Sequence, residues 1–148
     1  MKLRRATLDD AKMLFDWRND PQTRANSIST GEVDWQGHVG WLDRSLSNPN
    51  RTIFIALNNE FPVGTIRFDS DPSKSEVELS WTVAPEARGK GYGQAMVQVG
   101  TKLPALKGQK ILARIKPNNL PSIRIAEKAG FRKSTVDSNE ITEWLLEK

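Results

Sequence analysis

The chain has 148 residues, 37% apolar and 27% charged, with a net charge of +4, which fits one globular domain spanning 1–148 and excludes a disordered chain. With no cysteine and a single histidine, disulfides, thiolate metal sites, cysteine nucleophiles and multi-histidine metal centres are excluded, and no metal is expected. No apolar run approaches the roughly 20 residues that span a bilayer, and no apolar segment follows the basic start Met1-Lys2-Leu3-Arg4-Arg5, so a cytoplasmic protein without a membrane partner is expected.

Leu3–Thr7 reads as a first strand, and Thr7 or Asp9 can cap the helix after it. Ala11, Leu14 and Phe15 share one face of that helix, which Trp17-Arg18-Asn19-Asp20-Pro21 closes, because proline cannot continue it. A polar stretch runs from Gln22 to Thr30. Asp34 then caps a second helix from Trp35 to about Ser45, with His38, Trp41 and Leu42 on one face. Thr52–Leu57 and Phe61–Asp69 form a hairpin across Asn58-Asn59-Glu60. Val77 to Val83 alternates as a half-buried strand. A helix follows from about Gly91 to Leu103, ended by Pro104, and Lys110–Lys116 is the next strand. The last helix carries Ile123, Ala126 and Ala129 and stops at Gly130. Strands Phe131–Val136 and Ile141–Leu146 finish the chain, joined by a turn at Asp137-Ser138-Asn139. The order β-α-α-β-β-β-α-β-α-β-β is mixed α/β, with about seven strands, four helices and a mostly antiparallel sheet, unlike a doubly wound fold.

The stretch around which this order turns is Val83-Ala84-Pro85-Glu86-Ala87-Arg88-Gly89-Lys90-Gly91-Tyr92-Gly93-Gln94, where a strand ends, a basic glycine turn follows and a helix begins. Glycines at alternate positions remove side chains where the backbone must bend or approach a ligand. The first N–H groups of the helix have no intrahelical partner and carry the positive end of its dipole. With Arg88 and Lys90 they form a cradle for a phosphate or diphosphate. The dinucleotide fingerprint fails because Gln94 stands at its third glycine, and the P-loop signature is absent.

The R-x-x-G-x-G run from Arg88 to Gly93 resembles the acetyl-CoA loop of the GNAT family of N-acetyltransferases. The later pattern Asn119-Leu120-Pro121-Ser122, leading into Ala129-Gly130-Phe131, resembles the family's second CoA motif, and the element order is similar to the GNAT fold. The resemblance implies acetyl transfer from acetyl-CoA to a primary amine. Trp81, Thr82, Val83, Arg88, Gly89, Lys90, Gly91, Tyr92, Gly93, Gln94, Asn119 and Ser122 would then contact the cofactor. It also implies that the strand ending at Val83 splays from the Lys110–Lys116 strand to admit the thioester. The family's usual tyrosine acid is matched by Ala126, which has no proton to give.

For the general base the candidates are Glu78, Glu76 and His38, with Glu78 on the strand before the loop and His38 with a suitable intrinsic pKa. An outward-facing strand carboxylate and a packed helix-face histidine are the simpler readings of Glu78 and His38. Trp17, Arg18, Asn19, Arg24, Ser27, His38 and Trp41 form W-R-N-D…R…S…H-x-x-W, which is similar to GNAT enzymes that acetylate nucleotide-linked amino-deoxysugars. Two amphipathic helices with aromatic core residues would give the same pattern. A protein N-terminus is the alternative acceptor within the family, and a non-catalytic acyl-CoA-binding module the alternative outside it. The expected partner is a small-molecule amine rather than nucleic acid, with the chain a monomer or homodimer.

Overall fold

A computed structural model describes residues 1–137 and 139–147; Ser138, in the middle of the expected last turn, lies outside the described residues. Seven strands form one sheet: β1 (Lys2–Arg5), β2 (Arg51–Asn58), β3 (Phe61–Asp71), β4 (Glu76–Val83), β5 (Lys110–Ile115), β6 (Arg132–Val136) and β7 (Thr142–Leu146). Their order is β1-β2-β3-β4-β5-β7-β6, and every neighbouring pair is antiparallel except β4 and β5. Five helices cover it: α1 (Ala11–Asn19), α2 (Pro21–Asn26), α3 (Trp35–Ser47), α4 (Tyr92–Thr101) and α5 (Leu120–Lys128).

The fifth helix corrects the sequence reading. Pro21 does not merely close α1. The chain breaks at Asp20, whose extended ψ of 132° ends the helix, and Pro21 takes the first position of α2. Proline suits that position because its missing N–H would have no partner there. The Asp20 carboxylate caps the new helix by accepting from the Thr23 N–H at 3.0 Å. The dipeptide is therefore a start signal as well as a stop. Upstream, Thr7 and Asp10 form a capping box around a 3₁₀ turn at Leu8–Asp10 that leads into α1, and Arg4 closes on Asp10 at 2.8 Å.

Side chains alternate across the sheet, so register decides which helices each strand residue meets. Gly64, Ile66 and Phe68 face α4, where a Cβ on Gly100 would stand 2.7 Å from Ile66 Cδ1, so only glycine lets helix and sheet approach this closely. Thr65, Arg67 and Asp69 point the opposite way, toward α1 and α3, and Arg51 joins that face with bonds to Asp69 and Ser45. Leu42, Ile55, Ile66, Leu79, Met96, Ile111 and Val97 are fully enclosed. Each contributes roughly 1.5–3 kcal/mol over leaving it exposed. No described helix is long and apolar enough to cross a membrane.

Candidate active site

The parallel pair β4–β5 is joined only at Glu76↔Lys110, Val77↔Ile111 and Glu78↔Leu112. Beyond Glu78 the two strands part, and the backbone groups of β4 that face β5 between Leu79 and Val83 have no strand partner there. Trp81, Thr82 and Val83 line the opening, and the expected splay is present. Trp81 carries a buried indole N–H without a hydrogen-bond partner among the described residues, a donor aimed at nothing the chain itself supplies.

At the mouth of this gap lies the glycine loop. Gly89 and Gly91 have φ of 77° and 80°, a region unfavourable to other residues, and a Cβ on either would meet nothing within 4 Å. Open space thus lies over both. Gly91 caps α4, and Ala95 is the first residue to return its N–H to the loop, to the Gly91 carbonyl at 3.2 Å. The amides of Tyr92, Gly93 and Gln94 therefore have no partner within the helix. Gly93 serves packing: a Cβ there would stand 2.7 Å from Ile125 Cδ1 and 3.1 Å from Val83 Cγ2. Tyr92 packs against the core, its hydroxyl accepting from Asn58 Nδ2 at 3.0 Å.

The other residues of the second motif are placed with similar economy. Asn119 is buried and caps α5 through the Ser122 N–H, and Ser122 lines the same opening. Ala126 has no exposed surface, so that position holds neither an acid nor a water-facing group. Lys90 is exposed at the loop tip. Arg88 turns away from it, donating to Asp20, Thr23 and Gln22 at the start of α2.

On the α1–α3 face, Glu78 stands at the point where the strands part and accepts from Arg114 at 2.5 Å; Arg114 also reaches Glu143 at 3.5 Å. His38 is fully buried. Its Nε2 lies 2.9 Å from the Ala11 carbonyl, which can only accept, so that nitrogen carries the proton and Nδ1 turns its lone pair toward Arg18 at 3.5 Å. Burial pushes the imidazole below its ordinary value and Arg18 pushes the same way, while the Ala11 bond opposes them. Both ring nitrogens thus have partners, and the ring stacks on Trp41.

The expected acceptor residues divide into two groups. Arg18, His38 and Trp41 converge, with the Arg18 guanidinium 4.6 Å from the Trp41 ring centre and the His38 ring stacked on Trp41 at 5.9 Å. Asn19 and Arg24 instead fasten the segment before α3. Asn19 bonds both the N–H and the carbonyl of Val33, and Arg24 reaches the Thr30 carbonyl and Glu32. Trp17 is 5% exposed and belongs mostly to the core, and the Ser27 hydroxyl donates to the Thr23 carbonyl. Arg67 and Arg114 line the cavity too, although no motif marks them. Strand register is what brings them there: Arg67 stands beside Ser80, and Arg114 beside Glu143.

The glycine loop, the gap beyond Glu78 and the Arg18–His38–Trp41 cluster open on one cavity of about 870 Å³, whose lining does not include Lys90, Asn19 or Arg24. A volume of this kind suits an extended ligand with a polyanionic end at the loop and a second ligand from the opposite side.

The family model described as an acetyltransferase (GNAT) domain matches residues 1–132. Among curated proteins, the chain is 26% identical to the uncharacterized N-acetyltransferase p20 of Bacillus licheniformis, over 90% of this chain and 79% of that protein. It is 23% identical to the acetyltransferase PseH of Campylobacter jejuni, over 82% and 76%. Among solved structures, a domain from Methanocaldococcus jannaschii superposes with a TM-score of 0.85 at 25% identity, covering 99% of this chain and 97% of that one. An aminoglycoside acetyltransferase AAC(6')-Ib in complex with coenzyme A gives 0.83 at 22%, covering 99% and 94%. With the family model covering most of the chain and the fold agreeing with it, the protein belongs to the GNAT family of acetyltransferases.

Proposed function

We propose that the protein transfers acetyl from acetyl-CoA to the primary amine of a small molecule, with a nucleotide-linked amino-deoxysugar as the acceptor class. The observation that carries the donor half is the glycine loop: two open left-handed glycines and three unpartnered helix amides beside a gap in the sheet. Those amides would hold the diphosphate of CoA, and the Trp81 indole N–H and the unpaired edge of β4 would meet its pantetheine arm. A thioester bound there supplies an activated acetyl carbonyl and a weakly basic thiolate leaving group. That leaving group fits a chain whose Ala126 offers no acid.

The protein's own contribution is placement and proton handling. A neutral amine must reach the thioester carbon, which the approach from the α1–α3 face allows. Glu78 is the carboxylate on that face at the parting of the strands, and it takes the amine's proton, directly or through a water. Arg114 fixes its orientation. His38 has no free nitrogen for that role and instead steadies the acceptor wall.

PseH supports the acceptor class as a curated relative, and the aromatic and cationic wall of Trp41, Arg18 and Arg67 suits a phosphorylated sugar better than a polycation. Thiol release from acetyl-CoA with a panel of amines, including UDP-linked amino sugars, kanamycin, spermidine and an N-terminal peptide, tests the reading. The UDP-linked amines should turn over fastest. Turnover of the peptide alone would move the assignment to protein N-termini, and CoA binding without turnover of any amine would leave a binding module.

A further inference from the structure

Trp41 is ringed by three guanidinium groups: Arg18 at 4.6 Å, Arg67 at 5.9 Å and Arg51 at 6.0 Å from the ring centre. One carboxylate serves them. Asp69 pairs with Arg51 at 2.5 Å and with Arg67 at 3.0 Å. Arg18 has no carboxylate among the described residues, and its nearest polar contact is the His38 ring at 3.5 Å. Burial and the charge of Arg67 both push the Arg18 guanidinium below its ordinary pKa. The cluster is held together without its counter-charge by cation–π contact with Trp41, by the neutral His38 and by the enclosing helices.

About two positive charges therefore remain uncompensated at one end of the cavity. Along its lining, Arg88 pairs with Asp20, Arg114 with Glu78 and Arg67 shares Asp69, while Arg18 and Arg124 have no carboxylate partner among the described residues. Glycine-loop anion binding does not explain the Trp41 end, because Arg67 lies on β3 beside Ser80, on the α1–α3 face and away from α4.

We propose that Arg18 and Arg67 form an oxyanion subsite for a phosphate or diphosphate ester carried by the acceptor, with Trp41 as its floor. This rests on the acetyltransferase reading of the cavity and names what the acceptor must carry. A guanidinium presents a planar fork that meets phosphate oxygens two at a time. Two residual charges match a dianionic phosphate or a diphosphate diester; a monocarboxylate would neutralise only one, and a dicarboxylate matches the charge without the clustered oxygens of a phosphate. The same field repels polycationic amines, so the subsite selects as well as binds.

The test uses the full chain saturated with CoA, so that the glycine loop cannot take a second anion. CoA binding is measured first, and its absence defeats the acetyltransferase reading rather than the subsite. The saturated protein is then titrated with UDP, inorganic pyrophosphate, malonate and spermidine, following tryptophan fluorescence and heat. UDP and pyrophosphate should bind saturably. Binding should weaken at least tenfold in Arg18→Gln and in Arg67→Gln, and remain unchanged in Lys12→Gln on the exposed face of α1. Arg67→Lys keeps the charge but loses the fork, and should fall between wild type and Arg67→Gln; it serves if Arg18→Gln does not fold. Equal binding in the Arg67 variants, tighter binding of malonate than of pyrophosphate, or saturable binding of spermidine would overturn the proposal.

Discussion

Arg88, in the glycine loop, donates to the Asp20 carboxylate at 2.5 Å, joining the donor side of the cavity to the first turn of α2. Both side chains are partly sheltered, and the Arg88 hydrogen bond is the main cause that holds the Asp20 carboxyl below its usual range. Lys116, at the end of β5, binds the opposite end of the same short helix through the Ala25 carbonyl at 2.9 Å. Thus α2 is tied to the segments that follow both strands of the gap.

Asp20→Asn keeps the cap on the Thr23 N–H, since asparagine caps as well as aspartate, but removes the charge. Loss of the pair should cost about 1 kcal/mol or less of stability, read as a shift in denaturant midpoint. Removing a negative charge beside the loop should also tighten CoA binding, by about two- to fivefold at low salt. Weaker CoA binding in this variant would show that Asp20 positions Arg88 for the cofactor instead of competing for it.

Gly91 and Gly93 should separate by experiment. Gly91→Val places a branched side chain at φ 80° in the open space above the loop, and should reduce CoA binding by about a hundredfold or more, roughly 2.7 kcal/mol, in a chain that still folds. Gly93→Ala drives a methyl into Ile125 and Val83, and should lower stability by about 1–3 kcal/mol before it touches binding. Calorimetry with CoA beside thermal melts of both variants distinguishes them.

Most of the strand and helix order was legible because hydrophobic periodicity and capping residues agreed along the chain, from Thr7 through Asp34 to Gly130. The glycine loop was legible for a related reason: a backbone ligand site needs small residues, and small residues stand out. Helix α2 was missed because Pro21 satisfies the rules for an end and a beginning equally. Asn19 and Arg24 belong to the acceptor pattern in sequence, yet their side chains fasten the segment at Val33, Thr30 and Glu32; a polar side chain that binds backbone looks, in sequence, like one that binds ligand. Arg67 and Arg114 escaped notice because strand register, not spacing along the chain, brings them to the cavity.

Glu78→Gln removes the one carboxylate that lines the cavity among the described residues while preserving its shape, and its amide oxygen can still accept from Arg114. If it is the base, kcat/KM should fall about 10²–10⁴-fold and the acid limb of the pH–rate profile should disappear. An unchanged profile would remove Glu78 from the mechanism. The His38→Gln variant should leave the shape of that profile intact while raising the KM of the acceptor.

His38 also makes a prediction about stability. Burial lowers its pKa from the ordinary 6.5, so the folded protein resists protonation that the unfolded chain accepts. The unfolded state then binds more protons below about pH 6.5, and stability falls as pH drops from there toward the folded pKa. The melting temperature of the wild type should therefore decline between about pH 7.5 and pH 5.5 more steeply than that of His38→Gln. Parallel curves would mean that His38 is solvated in solution.

If the main chain from Arg88 to Gln94 holds the diphosphate of acetyl-CoA beside an amine-binding wall, a side chain placed over Gly91 should stop acetyl transfer. The decisive assay is steady-state thiol release from acetyl-CoA by wild type and Gly91→Val in the presence of UDP-linked amino sugars. Amine-dependent release by the wild type and its loss in the variant is the predicted result. Equal release by both proteins would mean that the diphosphate sits elsewhere.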